Sequence, residues 1–298
     1  MNSTYPHEIT WVHHALGKTS AKTAVHLWGN PDNTPLVLLH GFMQTAVIWD
    51  TVANALAKDW FVIAPELAGH GLTEIKNPQA EGAFTFEGAA QQVSAVVDEF
   101  CAQRPFVLGG YSLGGRVVEQ IISTKPELTA SVLAVVIESS ALGPHSEEQR
   151  EAFRIANAKT IERLETMPFE DFIAFWENLP LFESQKNLSE DVRQKIHLGR
   201  LANNPELLVL ELKGLGKENM ADGCEALVHC EKPVLYMAGE LDSKYQTEAA
   251  RLDQAFETAQ KHRDGSKVIT ISQAGHNIHI EQPDQFVDAL YTFLKSLI

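Results

Sequence analysis

The stretch Phe106-Val107-Leu108-Gly109-Gly110-Tyr111-Ser112-Leu113-Gly114-Gly115 constrains the fold most. An apolar, β-type run at 106–109 gives way almost at once to an amphipathic helical pattern at 113–124. Only a sharp strand-to-helix turn joins two such elements, and small residues are needed where the chain doubles back on itself. Such turns belong to sheets whose strands alternate with helices, and the rest of the chain has that alternation. Candidate strands fall at 24–28, 36–40, 61–65, 106–109, 132–138, 234–238 and 267–271. Candidate helices fall between or after them at 45–57, 86–101, 113–124, 247–259 and 283–297, the last opening on Pro283, Asp284 and Gln285 as a helix start should. The fold class is therefore α/β, a mostly parallel sheet flanked by helices.

The alternation stops near Gly143 and resumes near Pro233. Ser146 and Gln149 form a capping box that opens a helix toward Glu165, and 168–178, 189–203 and 205–213 follow with apolar residues at helical spacing. An interval of that length is too long for a loop inside a compact domain. Residues 1–142 and 225–298 are expected to form the core, and 143–224 an inserted helical lid. Its expected place is over the carboxyl ends of the strands, where open α/β sheets bind ligands.

Charge narrows the possible partners. The 298 residues are 44% hydrophobic and 21% charged, with 24 basic against 39 acidic side chains and a net charge of −15. So acidic a surface repels phosphate backbones and anionic lipid, which excludes nucleic acid and membrane surfaces as partners. The uncharged stretch 33–49 contains His, Gln, Asn and Pro, so no membrane insertion is expected. Met1-Asn2-Ser3-Thr4-Tyr5-Pro6 lacks the basic start and apolar run of a leader, and three cysteines make no disulfide framework. Both features point to a reducing cytoplasm.

Ser112, exposed at a helix start, is the candidate nucleophile or base. A serine needs an imidazole, and the imidazole an orienting carboxylate. His276 follows the last strand and Asp242 follows the strand 234–238, with Glu138 at another strand end as the alternative acid. His279 and His70 are read as structural. The backbone amides of Phe42, after the strand 36–40, and of Leu113 are the candidate oxyanion hole. Arg116 stands one helical turn beyond Ser112. If the lid arginines Arg150, Arg154 and Arg200 joined it, they would make a cationic pocket suited to a small substrate with several carboxylates. Cys224, His229 and Cys230 lack a second pair at zinc spacing, so no metal site is expected, and the glycine run holds a serine rather than a phosphate.

These residues sit in a wider set of motifs: Leu39-His40-Gly41-Phe42, Gly110 to Arg116, Glu138-Ser139-Ser140, Phe175-Trp176-Glu177-Asn178-Leu179-Pro180-Leu181-Phe182, Gly199-Arg200-Leu201-Ala202-Asn203-Asn204, Ala238 to Tyr245 and Ala274 to Pro283. Together they resemble the 2-succinyl-6-hydroxy-2,4-cyclohexadiene-1-carboxylate synthases, lyases of menaquinone biosynthesis with the α/β-hydrolase fold. The resemblance implies elimination of pyruvate from 2-succinyl-5-enolpyruvyl-6-hydroxy-3-cyclohexene-1-carboxylate, a tricarboxylate, without cofactor or metal. It also implies a Ser112–His276–Asp242 triad, Arg116 and Arg200 on substrate carboxylates, and Tyr111 and Trp176 lining the pocket. The family's third arginine falls at Phe153, between Arg150 and Arg154. A hydrolase acting on a carboxylate-bearing ester, thioester or C–C bond is the alternative that the triad leaves open.

Overall fold

Apolar runs pair into one nine-stranded sheet in the computed structural model, which describes residues 7–296. The first six residues and Leu297, which the sequence reading used for the leader and the last helix, lie outside the described residues. The strands are β1 (His7–Leu16), β2 (Thr19–Trp28), β3 (Thr34–Leu39), β4 (Trp60–Pro65), β5 (Glu74–Ile75), β6 (Phe106–Tyr111), β7 (Val132–Glu138), β8 (Val234–Gly239) and β9 (Lys267–Ile271). Their order is β1-β2-β4-β3-β6-β7-β8-β9, with β5 beside β2. Pairing is parallel from β4 through to β9 and antiparallel among β1, β2, β4 and β5. The chain runs outward from β3 to β4, then crosses back to place β6 on the other side of β3. That reversal opens a crevice at the carboxyl ends of β3 and β6.

Helices cover both faces: α1 (Asp50–Leu56), α2 (Phe86–Cys101), α3 (Leu113–Thr124), the short α4 (Pro126–Thr129), then α5 (Glu147–Thr166), α6 (Phe169–Glu177), α7 (Glu190–Leu201), α8 (Pro205–Leu215), α9 (Gly223–His229), α10 (Ser243–Thr258), the short α11 (Ile278–Glu281) and α12 (Pro283–Lys295). The alternation of side chains along each strand divides the core between the faces. Leu108 and Val135 pack with Val93, Val117, Ile121 and Leu252 of α2, α3 and α10. Val107 and Val136 pack with Val52, Leu56, Leu290 and Phe293 of α1 and α12.

The sequence reading missed β1, β5 and the first half of β2. β1 is an edge strand with only Val12 and Leu16 buried, so it has almost no apolar signal, and ten residues of register with β2 hold it instead. The helix expected at 45–57 opens as a 3-10 turn, Ala46–Trp49, before α1. α10 starts four residues earlier than expected because Asp242 caps it, its carboxylate accepting from the Tyr245 amide at 3.3 Å.

Every element between β7 and β8 is helical. This layer docks on the loop after β3: Met43 is buried with Leu164, Phe172, Ile173, Leu208 and Val209, and Phe42 and Trp176 border the cluster. His70 and Glu211 of α8 add a buried polar contact at 3.1 Å. Burial pushes the Glu211 carboxyl well up and the His70 imidazole well down, so desolvation disfavours the charged form of each. His70 also accepts from the Met43 amide at 3.2 Å, a structural role.

The turn after β6 depends on close packing at Gly114, where a Cβ would lie 2.2 Å from the Leu39 carbonyl oxygen. Gly114→Ala is expected to destabilise the protein by about 2–4 kcal/mol. Chemical denaturation measures it, and an unchanged midpoint would show that this packing is not tight.

Candidate active site

Ser112 follows β6 directly and caps α3 with φ 51° and ψ −105°, a backbone state that side chains with a Cβ rarely adopt. Two contacts hold it there: the Ser112 amide donates to the Glu138 carbonyl of β7 at 2.9 Å, and the Ser112 carbonyl accepts from the Arg116 amide at 3.1 Å. Gly110 is required beneath it, since a Cβ would lie 2.3 Å from the Gly114 backbone. The hydroxyl is thereby set at the open end of the sheet, in the crevice between β3 and β6.

His276 and Asp242 reach it from the loops after β9 and β8. His276 Nε2 lies 3.1 Å from Ser112 Oγ, and His276 Nδ1 lies 2.8 Å from Asp242 Oδ2. The other Asp242 oxygen is the cap of α10. One carboxylate therefore fixes a helix and orients the ring. Tyr245 packs on the imidazole at 4.6 Å and Tyr111 at 5.2 Å, between ring centroids. Burial lowers the His276 pKa from its ordinary value, and the Asp242 carboxylate opposes this without outweighing it. A neutral ring can take a proton from Ser112.

The alternative acid, Glu138, is committed elsewhere. Its carboxylate lies 2.7 Å from His279 Nδ1 and accepts from the His279 amide at 3.1 Å, so both residues serve the framework. His40 is equally engaged: Nδ1 donates to the Gly41 carbonyl at 2.8 Å and Nε2 accepts from the Leu67 amide at 2.9 Å. Burial lowers its pKa to about 4, which keeps that neutral tautomer and steadies the loop carrying Phe42. Leu113 is the first residue of α3, where amides have no partner within the helix.

A cavity of about 270 Å³ opens above Ser112, between sheet and helical layer. Phe42, Tyr111, Trp176 and Phe182 supply apolar walls, and Arg116 and Arg200 line it as well. Arg116 is 8% exposed and Arg200 2%. Arg116 donates to the Leu215 carbonyl, tying α3 to the end of α8. Arg200 donates to Glu177 at 3.0 Å and lies 4.9 Å from the Phe182 ring centroid, while its Nε has no partner among the described residues. Tyr111 donates its hydroxyl to Asn277 at 2.6 Å, and burial keeps that phenol protonated.

The other two arginines depart from expectation. Arg154 is exposed and paired with Glu151 at 2.5 Å, one turn back on α5. Arg150 donates to the carbonyls of Glu218 and Met220, bracing the helical layer rather than lining the cavity. What faces inward from α5 is the stripe Phe153, Ala156, Asn157 and Thr160. Sequence reasoning gave no role to Lys217, Lys244 or Tyr245, which also line the cavity. Lys244 and Tyr245 lie in the motif around Asp242, a signal that could have found them; Lys217, at a turn between lid helices, had none. Among the described residues no group of three or more His, Cys, Asp or Glu could hold a metal ion. No helix among them is long and apolar enough to cross a membrane.

The sequence matches the model of the α/β hydrolase family over residues 36–289. It is 30% identical over 262 residues to a Bacillus subtilis protein provisionally named 2-succinyl-6-hydroxy-2,4-cyclohexadiene-1-carboxylate synthase, covering 88% of this chain and 90% of that one. It is 28% identical to the Salmonella typhimurium protein of the same name, covering 91% and 98%. The structure matches that of MenH from S. aureus with a TM-score of 0.80 at 25% identity, covering 92% of this chain and 98% of the other.

The imidazole environment makes a direct prediction. The His276 ring C–H resonances should titrate with a midpoint below the ordinary 6.5. Asp242→Asn removes the one strong influence raising that pKa, so it should move the midpoint lower still. A midpoint above 6.5, or an upward move in the variant, would contradict the geometry.

Proposed function

This chain belongs to the α/β hydrolase family and, within it, to the 2-succinyl-6-hydroxy-2,4-cyclohexadiene-1-carboxylate synthases, and on that premise we propose that it is the lyase that eliminates pyruvate from 2-succinyl-5-enolpyruvyl-6-hydroxy-3-cyclohexene-1-carboxylate. The observation that carries the reading is the cationic wall around Ser112, with Arg116 and Arg200 buried beside it in a chain of net charge −15. A neutral ester gives such a wall nothing to bind. The substrate has carboxylates on the ring, the succinyl arm and the enolpyruvyl group, and guanidinium is their planar partner.

Ser112, deprotonated toward His276, removes a ring proton, with Asp242 stabilising the imidazolium that forms. The electron pair moves toward the succinyl ketone, whose oxygen becomes an enolate held by the Phe42 and Leu113 amides. Collapse of the enolate expels the enolpyruvyl oxygen, and the ring becomes the cyclohexadiene. The leaving group takes up a proton and tautomerises to pyruvate. No water is consumed, and Ser112 is never acylated. The helices of 143–224 act as a lid that shields the anionic transition state from water. Three buried, unpaired thiols fit work in a reducing cytoplasm.

Incubation with the enolpyruvyl substrate should release pyruvate and diene in equal amounts without a burst, and simple p-nitrophenyl esters should turn over poorly. An acyl-enzyme burst with efficient ester turnover and no pyruvate would replace the lyase by a serine hydrolase. Ser112→Ala and His276→Ala should each lower kcat by about 10²–10⁴, and the double variant should cost little more, because the residues act as a unit. Near-additive losses would remove the triad from the mechanism. For Arg116 and Arg200, Lys should recover only part of what Ala loses in kcat/KM, because the charge returns without the planar fork. Full recovery would reduce these residues to point charges.

A further inference from the structure

Two cationic side chains on the cavity wall have no part in the reaction above. Lys217 opens the short helical turn Lys217–Asn219 between α8 and α9, and Lys244 stands two residues beyond Asp242 on α10. Lys217 Nζ lies 3.4 Å from the Tyr245 hydroxyl and 5.7 Å from the Phe153 ring centroid, and Lys244 Nζ lies 5.5 Å from the Tyr245 ring. Among the described residues neither ammonium forms an ion pair. Two outer lysines of the helical layer are paired instead, Lys213 with Glu165 at 2.9 Å and Lys186 with Glu183 at 2.7 Å. Of the acids around them, Glu218 accepts from Asn157 at 2.6 Å through one oxygen, Glu248 lies 3.6 Å from Arg251, and Asp242 is held by His276 at 2.8 Å.

The charge of Lys244 opposes protonation of its neighbour Lys217 across the cavity wall, and an anion between them would favour both as ammonium groups. Resting on the reading that the occupant is a polycarboxylate, we propose that Lys217 and Lys244 form a carboxylate subsite of their own, separate from Arg116 and Arg200. A lysine pair recognises charge rather than a planar fork, so this subsite takes a carboxylate in more than one orientation.

The environment of Lys217 gives the subsite a signature. Enclosure by the cavity walls and the charge of Lys244 hold the Lys217 amine well below the usual lysine range. Arg116 from α3 acts in the same direction and Glu248 from α10 against it. Tyr245 of α10, the imidazole of His276, the adjacent Glu218 and, toward Lys244, Asp242 are the other ionisable neighbours; α5 lines the cavity with the uncharged Phe153, Ala156, Asn157 and Thr160, and its Arg150 reaches the Glu218 carbonyl. An arriving carboxylate restores the proton. Binding therefore takes up a proton and weakens as pH rises.

The test is calorimetric titration of the full chain with tricarballylate in two buffers of different ionisation enthalpy, alongside KM for pyruvate release. Lys217→Met should weaken tricarballylate binding about tenfold to a hundredfold, the range of a charge-assisted hydrogen bond, and abolish proton uptake. It should raise KM similarly. Lys217→Arg should keep most of the affinity without the proton uptake. Lys244→Met should weaken binding in the same direction, and Lys213→Met, on the outer lid face, should match the wild type. Tricarballylate affinity and proton uptake equal in wild type and Lys217→Met overturn the subsite. Pyruvate release separates the two inferences: a wild type that binds through Lys217 but releases none sinks the reaction and leaves the subsite. Normal release with lysine-independent binding and an unchanged KM does the reverse.

Discussion

Ser112 is held near φ 51° and ψ −105°, a state costing a residue with a Cβ about 1–3 kcal/mol, and the surrounding structure must supply that energy. It does so by crowding. Gly110 and Gly114 bring α3 against the ends of β6 and β3, too close for any Cβ, and the Ser112 amide is held by the Glu138 carbonyl of β7. The same contacts aim the hydroxyl at His276, put the amides at the start of α3 beside it, and bring Arg116 one turn below. A relaxed turn would displace all of these together.

Electrostatics in the cavity run against the sign of the whole molecule. A net charge of −15 slows the approach of any anion through the long-range field, so affinity for the proposed substrate must come from local groups. Burying guanidinium groups is costly unless they are partnered, and the partnering here is incomplete. Arg200 gives one nitrogen to Glu177 and keeps Nε free, and Arg116 gives one to the Leu215 carbonyl. The arginines are satisfied enough to stay buried, and Arg200 keeps a donor without a partner among the described residues. His276 shows a similar balance: burial lowers its pKa, Asp242 raises it, and the ring stays neutral yet oriented.

The fold was legible where its signals are local. Strands β6 to β9 and helices α2 and α3 fall where apolar periodicity put them, and β7, β9, α2 and α3 do so to the residue. β1 was invisible because a polar edge strand is held by its register with β2 rather than by its own apolar residues. The start of α10 was misplaced because its cap is also the Asp242 that orients His276, and a side chain serving two partners gives no separate helix signal.

The sequence by itself determined the alternation, the helical interval between β7 and β8, and the order of Ser112, Asp242 and His276. Each is a pattern over a few residues beside a strand end, and the sheet's parallel topology brings such ends together. Only the tertiary structure decided which cations face the cavity. Arg150 and Arg154 share one face of α5, while Phe153, Ala156, Asn157 and Thr160 share another about a quarter-turn away. Leu164 is the one fully buried residue of that helix, so its composition does not say which side turns inward. Docking against α8 makes that choice. It turns Phe153 rather than Arg150 or Arg154 to the cavity, with Lys217, from a turn with no pattern of its own, on the same wall.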